Sequence, residues 1–183
     1  MKTALLLIDI QNDYFESGAM PLVGANEAAA NARMILNRFR EEQLPVIFIK
    51  HIAARSNASF FLPDTPGVEI SDIIKPMSHE KIVVKHFPNS FRDTDLLSHL
   101  QSAGITRLVV CGMMTHMCID ATVRAAKDLS FDVILVGDAC ATRDLQVNSF
   151  VVESANVHNS FLAALSYFYA DLRSTQELLE GAL

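Results

Sequence analysis

With 183 residues, half of them hydrophobic and a fifth charged, the chain can bury one substantial core and is too apolar to be disordered. A formal net charge of −6 with no lysine or arginine cluster excludes the ordinary signature of a nucleic-acid or acidic-membrane partner. Three cysteines, an odd number without paired spacing, exclude a disulfide framework. No export signal is readable and no stretch is long enough to span a bilayer, so a cytoplasmic protein is expected.

In chain order, the continuous apolar run Thr3 to Ile8 predicts a strand buried on both faces, ended by Asp9. Ala-rich periodicity from about Asn26 to Glu42 (Ala29, Ala32, Ile35, Leu36, Phe39) predicts a helix. Pro45 opens a second strand, Val46 to Ile49, that ends at Lys50-His51. From Ile52 to about Glu80 the periodicity breaks down, and Pro63, Pro66, Gly67 and Pro76 make a long irregular segment of the kind that forms lids or binding loops. Phe60 and Phe61 either line a pocket there or pin the loop to the core. Lys81 to Val84 predicts a third strand, ending at Lys85, and Thr94 to Ala103 a helix stopped by Gly104.

The stretch Arg107 to Leu129 organises the rest. A β-branched run, Leu108-Val109-Val110-Cys111, passes through Gly112 and a Met-Met-Thr turn into a helical pattern, with Cys118 in the first turn of that helix. Free N–H groups and the macrodipole at a helix start favour thiolate over thiol, so Cys118 is a candidate nucleophile. Asp132 to Gly137 predicts a fifth strand, Gln146 to Phe168 a helical region in one or two pieces, Tyr169 to Arg173 an edge strand, and Ser174-Thr175-Gln176-Glu177 a capped last helix.

The alternation predicts one domain over residues 1–183 with an α/β fold: three layers, α/β/α, around a six-stranded, mainly parallel, Rossmann-like sheet. Ligands of such sheets bind beyond the carboxyl ends of the strands, where Asp9, Lys85 and Cys118 all fall. Singly, Asp9 can cap a turn, Lys85 can snorkel and Cys118 can be core. Together they are an acid, a cation and a thiol at one sheet edge.

The runs Leu7-Ile8-Asp9-Ile10-Gln11-Asn12-Asp13, Val84-Lys85 with Ser90-Phe91, and Val110-Cys111-Gly112-Met113-Met114-Thr115-His116-Met117-Cys118 resemble those of the isochorismatase-like cysteine hydrolases, which include nicotinamidases and carbamoylsarcosine-type amidohydrolases. The resemblance covers nearly the whole chain. It implies that fold and a catalytic triad of Asp9, Lys85 and Cys118. It also implies a cis peptide between Met113 and Met114 and an oxyanion hole from the backbone N–H groups of Met114 and Cys118. The activity implied is hydrolysis of an amide or related C–N bond of a small molecule, without a cofactor. An isochorismatase-type vinyl-ether hydrolase and a low-activity binding member of the same fold are the alternatives. The metal-binding branch carries an Asp and several His near the end of strand two. Here that position reads Lys50-His51-Ile52, so no metal is expected, and His51, His79 and His86 are taken as surface or loop residues. Gln11, Phe15, Phe61, Phe91 and His116 are candidate substrate contacts. Family resemblance and the apolar stretch around Phe161, Leu165 and Phe168 suggest a homo-oligomer, a dimer or tetramer.

Overall fold

The structure, a computed structural model, describes residues 1–181. Eight strands and five helices succeed one another along the chain: β1 (Thr3–Ile8), α1 (Ala25–Glu41), β2 (Val46–His51), β3 (Lys81–Lys85), α2 (Leu96–Ser102), β4 (Arg107–Met113), α3 (Asp120–Asp128), β5 (Asp132–Ala141), β6 (Leu145–Val147), β7 (Phe150–Val152), α4 (Ser154–Ser166), β8 (Asp171–Arg173) and α5 (Thr175–Glu180). Six strands form one sheet in the order β3-β2-β1-β4-β5-β8, and each neighbouring pair is parallel. No helix of the described residues is long and apolar enough to cross a membrane.

Buried residues divide into two clusters, one on each side of the sheet, because alternate residues of the central strands point to opposite faces. Leu5, Leu7, Val109 and Cys111 join the buried stripe of α1, in which Ala28, Ala29 and Ala32 give way to Ile35, Leu36 and Phe39. Leu6, Ile8, Leu108 and Val110 pack with Val123 and Ala126 of α3, Leu100 of α2 and Leu162 of α4. All six residues of β1 are buried, as a continuous apolar run requires.

The elements depart from the sequence reading at β5 and at the region after it. β5 runs on to Ala141, past the predicted end at Gly137. The region expected to be helical from Gln146 begins instead with an antiparallel hairpin, β6 on β7, and α4 starts only at Ser154. The hairpin's two-residue turn places Asn148 at φ 54°, a left-handed conformation that asparagine tolerates. The segment between β2 and β3 is irregular, as expected, and contains two short 3-10 turns, Pro66–Val68 and Asp72–Ile74. The last helix carries the expected capping box between Ser174 and Glu177.

Candidate active site

From β1 the chain fills one side of the sheet with β2 and β3, then returns to place β4 on the other side of β1. In open parallel sheets such a reversal marks the crevice where ligands bind, here beyond the carboxyl ends of β1 and β4. Asp9 comes directly after β1 and turns the chain at φ 52°, its N–H donating to Ile49 C=O at 3.1 Å. Gly112 faces Ile8 across the β1–β4 pair at φ 131°, where a Cβ would lie 2.0 Å from the Ile8 carbonyl oxygen. Only glycine lets the two strands approach so closely just before the Met113–Met114 peptide, which is cis. Thr115–Ile119 then forms a single π-type turn ahead of α3, with Ile119 N–H donating to Met114 C=O at 3.3 Å. This wide turn carries Cys118. Register does the rest: β3 pairs with β2 so that Lys85 lies beside His51.

Asp9, Lys85 and Cys118 converge there. Asp9 and Lys85 are fully buried and Cys118 nearly so. Lys85 Nζ stands 2.7 Å from Asp9 Oδ2, a buried ion pair at charge-assisted hydrogen-bond distance, and the Cys118 thiol reaches the same carboxylate. Lys85 Nζ also lies 3.0 Å from His51 Nδ1, 3.1 Å from Phe87 C=O and 3.3 Å from Pro88 C=O, acceptors that share its three N–H groups with Asp9. Burial presses the lysine toward its neutral form, but the negative charge of Asp9 outweighs it and holds the ammonium above its usual pKa.

The thiolate expected of a helix start is not what Cys118 meets. Burial first, and then the Asp9 carboxylate, push its thiol far above the usual range, while Lys85 only partly opposes them. The resting group at neutral pH is therefore the thiol, with an acceptor carboxylate beside it. Cys111 and Cys140 are buried too, and burial raises both thiols.

Of the remaining candidates, several have other work. Gln11 is fully buried and its amide is spent on the backbone: Nε2 donates to His51 C=O at 2.9 Å and Val68 C=O at 2.6 Å, and Oε1 accepts from His51 N–H at 2.7 Å. It is a clamp that ties the end of β2 to the loop carrying Val68. Phe61 is buried against Tyr14, their ring centroids 4.6 Å apart, and so pins the loop. Phe91 stacks on Phe131 at 6.1 Å as part of the core on the α3 side. Phe15 is half-buried and lines a cavity of about 800 Å³ under the loop, with Phe60, Asn12 and Thr65; none of the three converging residues lines it. His116 Nδ1 meets Thr142 Oγ1 at 2.6 Å, its ring edge-on to Phe161.

His51 is the residue that sequence reasoning misplaces. Expected on the surface, it lies in the crevice, 3.0 Å from Lys85 and 3.9 Å from Asp9 Oδ2. The signal for this is its position two residues past the apolar run Val46 to Ile49, at the last residue of β2, which a parallel neighbour aligns with Lys85. Asp9, His51 and Cys118 each offer a possible ligand atom within 4.8 Å of the others, a donor set that could suit zinc. The Lys85 ammonium already supplies positive charge to two members of that set, so a metal would have to displace it.

The isochorismatase domain matches residues 3–168 of the chain. The isochorismatase family protein YddQ of Bacillus subtilis is 48% identical over 180 residues, covering 98% of this chain and 100% of that protein. A streptothricin hydrolase of Streptomyces noursei is 36% identical over 142 residues, covering 78% of this chain and 50% of its own length. A solved isochorismatase hydrolase from Oleispira antarctica superposes with a TM-score of 0.95 at 46% identity, covering 98% of this chain and 97% of that one.

Proposed function

The chain belongs to the isochorismatase family and is a hydrolase, and on that premise we propose that it uses Cys118 to cleave an amide or related non-peptide C–N bond of a small molecule through a thioester. The observation that carries this reading is the meeting of a thiol, a buried carboxylate and a buried ammonium at the carboxyl ends of β1, β3 and β4. The streptothricin hydrolase relative supports the hydrolytic class.

The chemistry is set by the protonation states. Asp9 accepts the thiol proton as Cys118 Sγ attacks the substrate carbonyl carbon, so thiolate forms only when it is used. Lys85 offsets the negative charge that moves between carboxylate, sulfur and substrate oxygen. The oxyanion is received by the backbone N–H groups of Met114 and Cys118, which belong to the turn between β4 and α3, where first-turn donors lack helical partners. Asp9 then protonates the leaving amine, the C–N bond breaks and the thioester remains. Asp9 takes a proton from water, the hydroxide displaces sulfur, and the acid leaves as the thiol is restored.

Cys118→Ala tests the reading in a screen of small amides. At least roughly a thousandfold loss of turnover, on the scale of a missing nucleophile, is expected for any amide the wild type hydrolyses. Full amide turnover without the sulfur would overturn it, whereas a vinyl ether cleaved equally well by wild type and Cys118→Ala would favour the reading in which Asp9 and Lys85 act alone.

A further inference from the structure

Besides its ion pair with Asp9, Lys85 Nζ meets the backbone carbonyls of Phe87 and Pro88 and one uncharged side-chain acceptor, Nδ1 of His51. An ammonium has donors and no acceptor, so His51 Nδ1 must present its lone pair, which fixes the tautomer with the proton on Nε2. The ring is held firmly enough to do this. Both backbone groups of His51 are gripped by the one Gln11 amide, and the ring lies 5.8 Å from that of Phe61. The groups facing it are Asp9, Lys85, His86 and Arg55. Burial and the neighbouring cations drive its pKa down to about 4, so it adds no charge at neutral pH.

We infer that His51 is a positioning residue of this site: its neutral Nδ1 accepts from Lys85 and aims the ammonium at Asp9 and Cys118 without cancelling its charge. This rests on the triad proposed for hydrolysis. A carboxylate at the same place would grip the ammonium equally well but would add a second negative charge beside the thiol and resist its ionisation. A neutral imidazole meets both demands.

The readout is the rate at which iodoacetamide alkylates Cys118 in the full-length protein, followed from about pH 6 to 10 by the mass of its peptide. It needs no substrate and tracks the ease of forming thiolate. Lys85→Met is expected to slow labelling more than about tenfold. His51→Leu should slow it about tenfold at each pH, which corresponds to about one unit in the thiol pKa. His51→Asn, whose Oδ1 falls close to the place of Nδ1, should restore it to within about threefold of wild type. Labelling of the His51→Leu protein at the wild-type rate, with Lys85→Met slow, would overturn the inference and leave the triad standing. So would an Asn variant no faster than Leu, since the ring would then matter for packing alone. An unchanged rate in Lys85→Met would bring down the triad reading and this inference together. If His51→Leu does not fold, His51→Asp replaces it: a slower, alkaline-shifted profile supports the inference, and the wild-type profile overturns it.

Discussion

A lysine and an aspartate that are both removed from water can remain charged only by keeping each other, and Lys85 and Asp9 are both fully buried. Removing one partner leaves a stranded charge, whereas removing both leaves an apolar or neutral pocket. Lys85→Met should therefore cost about 3 kcal/mol or more of folding stability, and Lys85→Met with Asp9→Asn clearly less than the sum of the two single changes. Urea titrations of the four proteins in a double-mutant cycle measure the difference; additive losses would mean that the two groups do not hold one another. Gly112 is constrained in another way. Gly112→Ala puts a methyl group 2.0 Å from the Ile8 carbonyl oxygen in a conformation at φ 131° that alanine avoids. Loss of the cooperative melt, or a melting temperature lowered by at least about 10 °C, is expected from circular dichroism, because neither central strand can move aside.

At the scale of elements, the site is shaped by the residues immediately after β1. Gln11, Asn12 and Asp13 spend their polar atoms on the long β2–β3 connection. Asn12 Nδ2 donates to Pro66 C=O at 2.9 Å, and Asp13 Oδ2 accepts from Phe61 N–H at 2.6 Å while Oδ1 accepts from Ala19 N–H at 3.1 Å. Gly67 is small because a Cβ there would meet Asp13 Oδ1 at 2.0 Å. Asp13→Ala should strand two N–H groups, lowering stability by about 2–4 kcal/mol. Hydrogen exchange should then speed up at Phe61 and through residues 52–80 while the β1 and β4 amides keep their protection. Uniform loss of protection would show that the loop is no separate unit. The parallel strands are legible in the sequence because runs such as Ala4-Leu5-Leu6-Leu7-Ile8 are apolar on both faces, and the strand ends point to Asp9, Lys85 and the loop carrying Cys118. The β6–β7 hairpin is not, because Val147 and Phe150 to Val152 carry no period that separates strand from helix over so short a span. The roles of Gln11 and His51 are hidden for a different reason: Gln11 depends on how β1 pairs with β2 and where the loop carries Val68, His51 on β2–β3 register, and register is a property of the pair rather than of either segment.

For the whole molecule, the buried titratable groups set the pH range of stability. His51 is pushed down to about 4, chiefly by burial, and burial also lowers His116 and His158. Above about pH 6.5 these rings are neutral in both the folded and the unfolded chain and contribute no pH dependence. As pH falls below about 6.5 the unfolded chain takes up protons that the folded chain refuses, so stability falls with pH until the folded ring also protonates, near pH 4 for His51. The His51 share over that window is at most about 3 kcal/mol. At the other end, burial raises Cys111, Cys118 and Cys140, so above about pH 9 the unfolded chain loses protons that the folded one keeps, and stability falls again. Lys85, raised by Asp9 against its own burial, adds to that alkaline loss above about pH 10.5. Melting temperatures should therefore be level between about pH 6.5 and 9 and decline on both sides. His51→Asn removes one of the refused protons while keeping an acceptor for Lys85, so its acid decline between about pH 6.5 and 4 should be shallower than wild type and its alkaline decline unchanged. Equal acid slopes in the two proteins would mean that His51 titrates normally in the fold, and that the crevice admits a second positive charge beside Lys85.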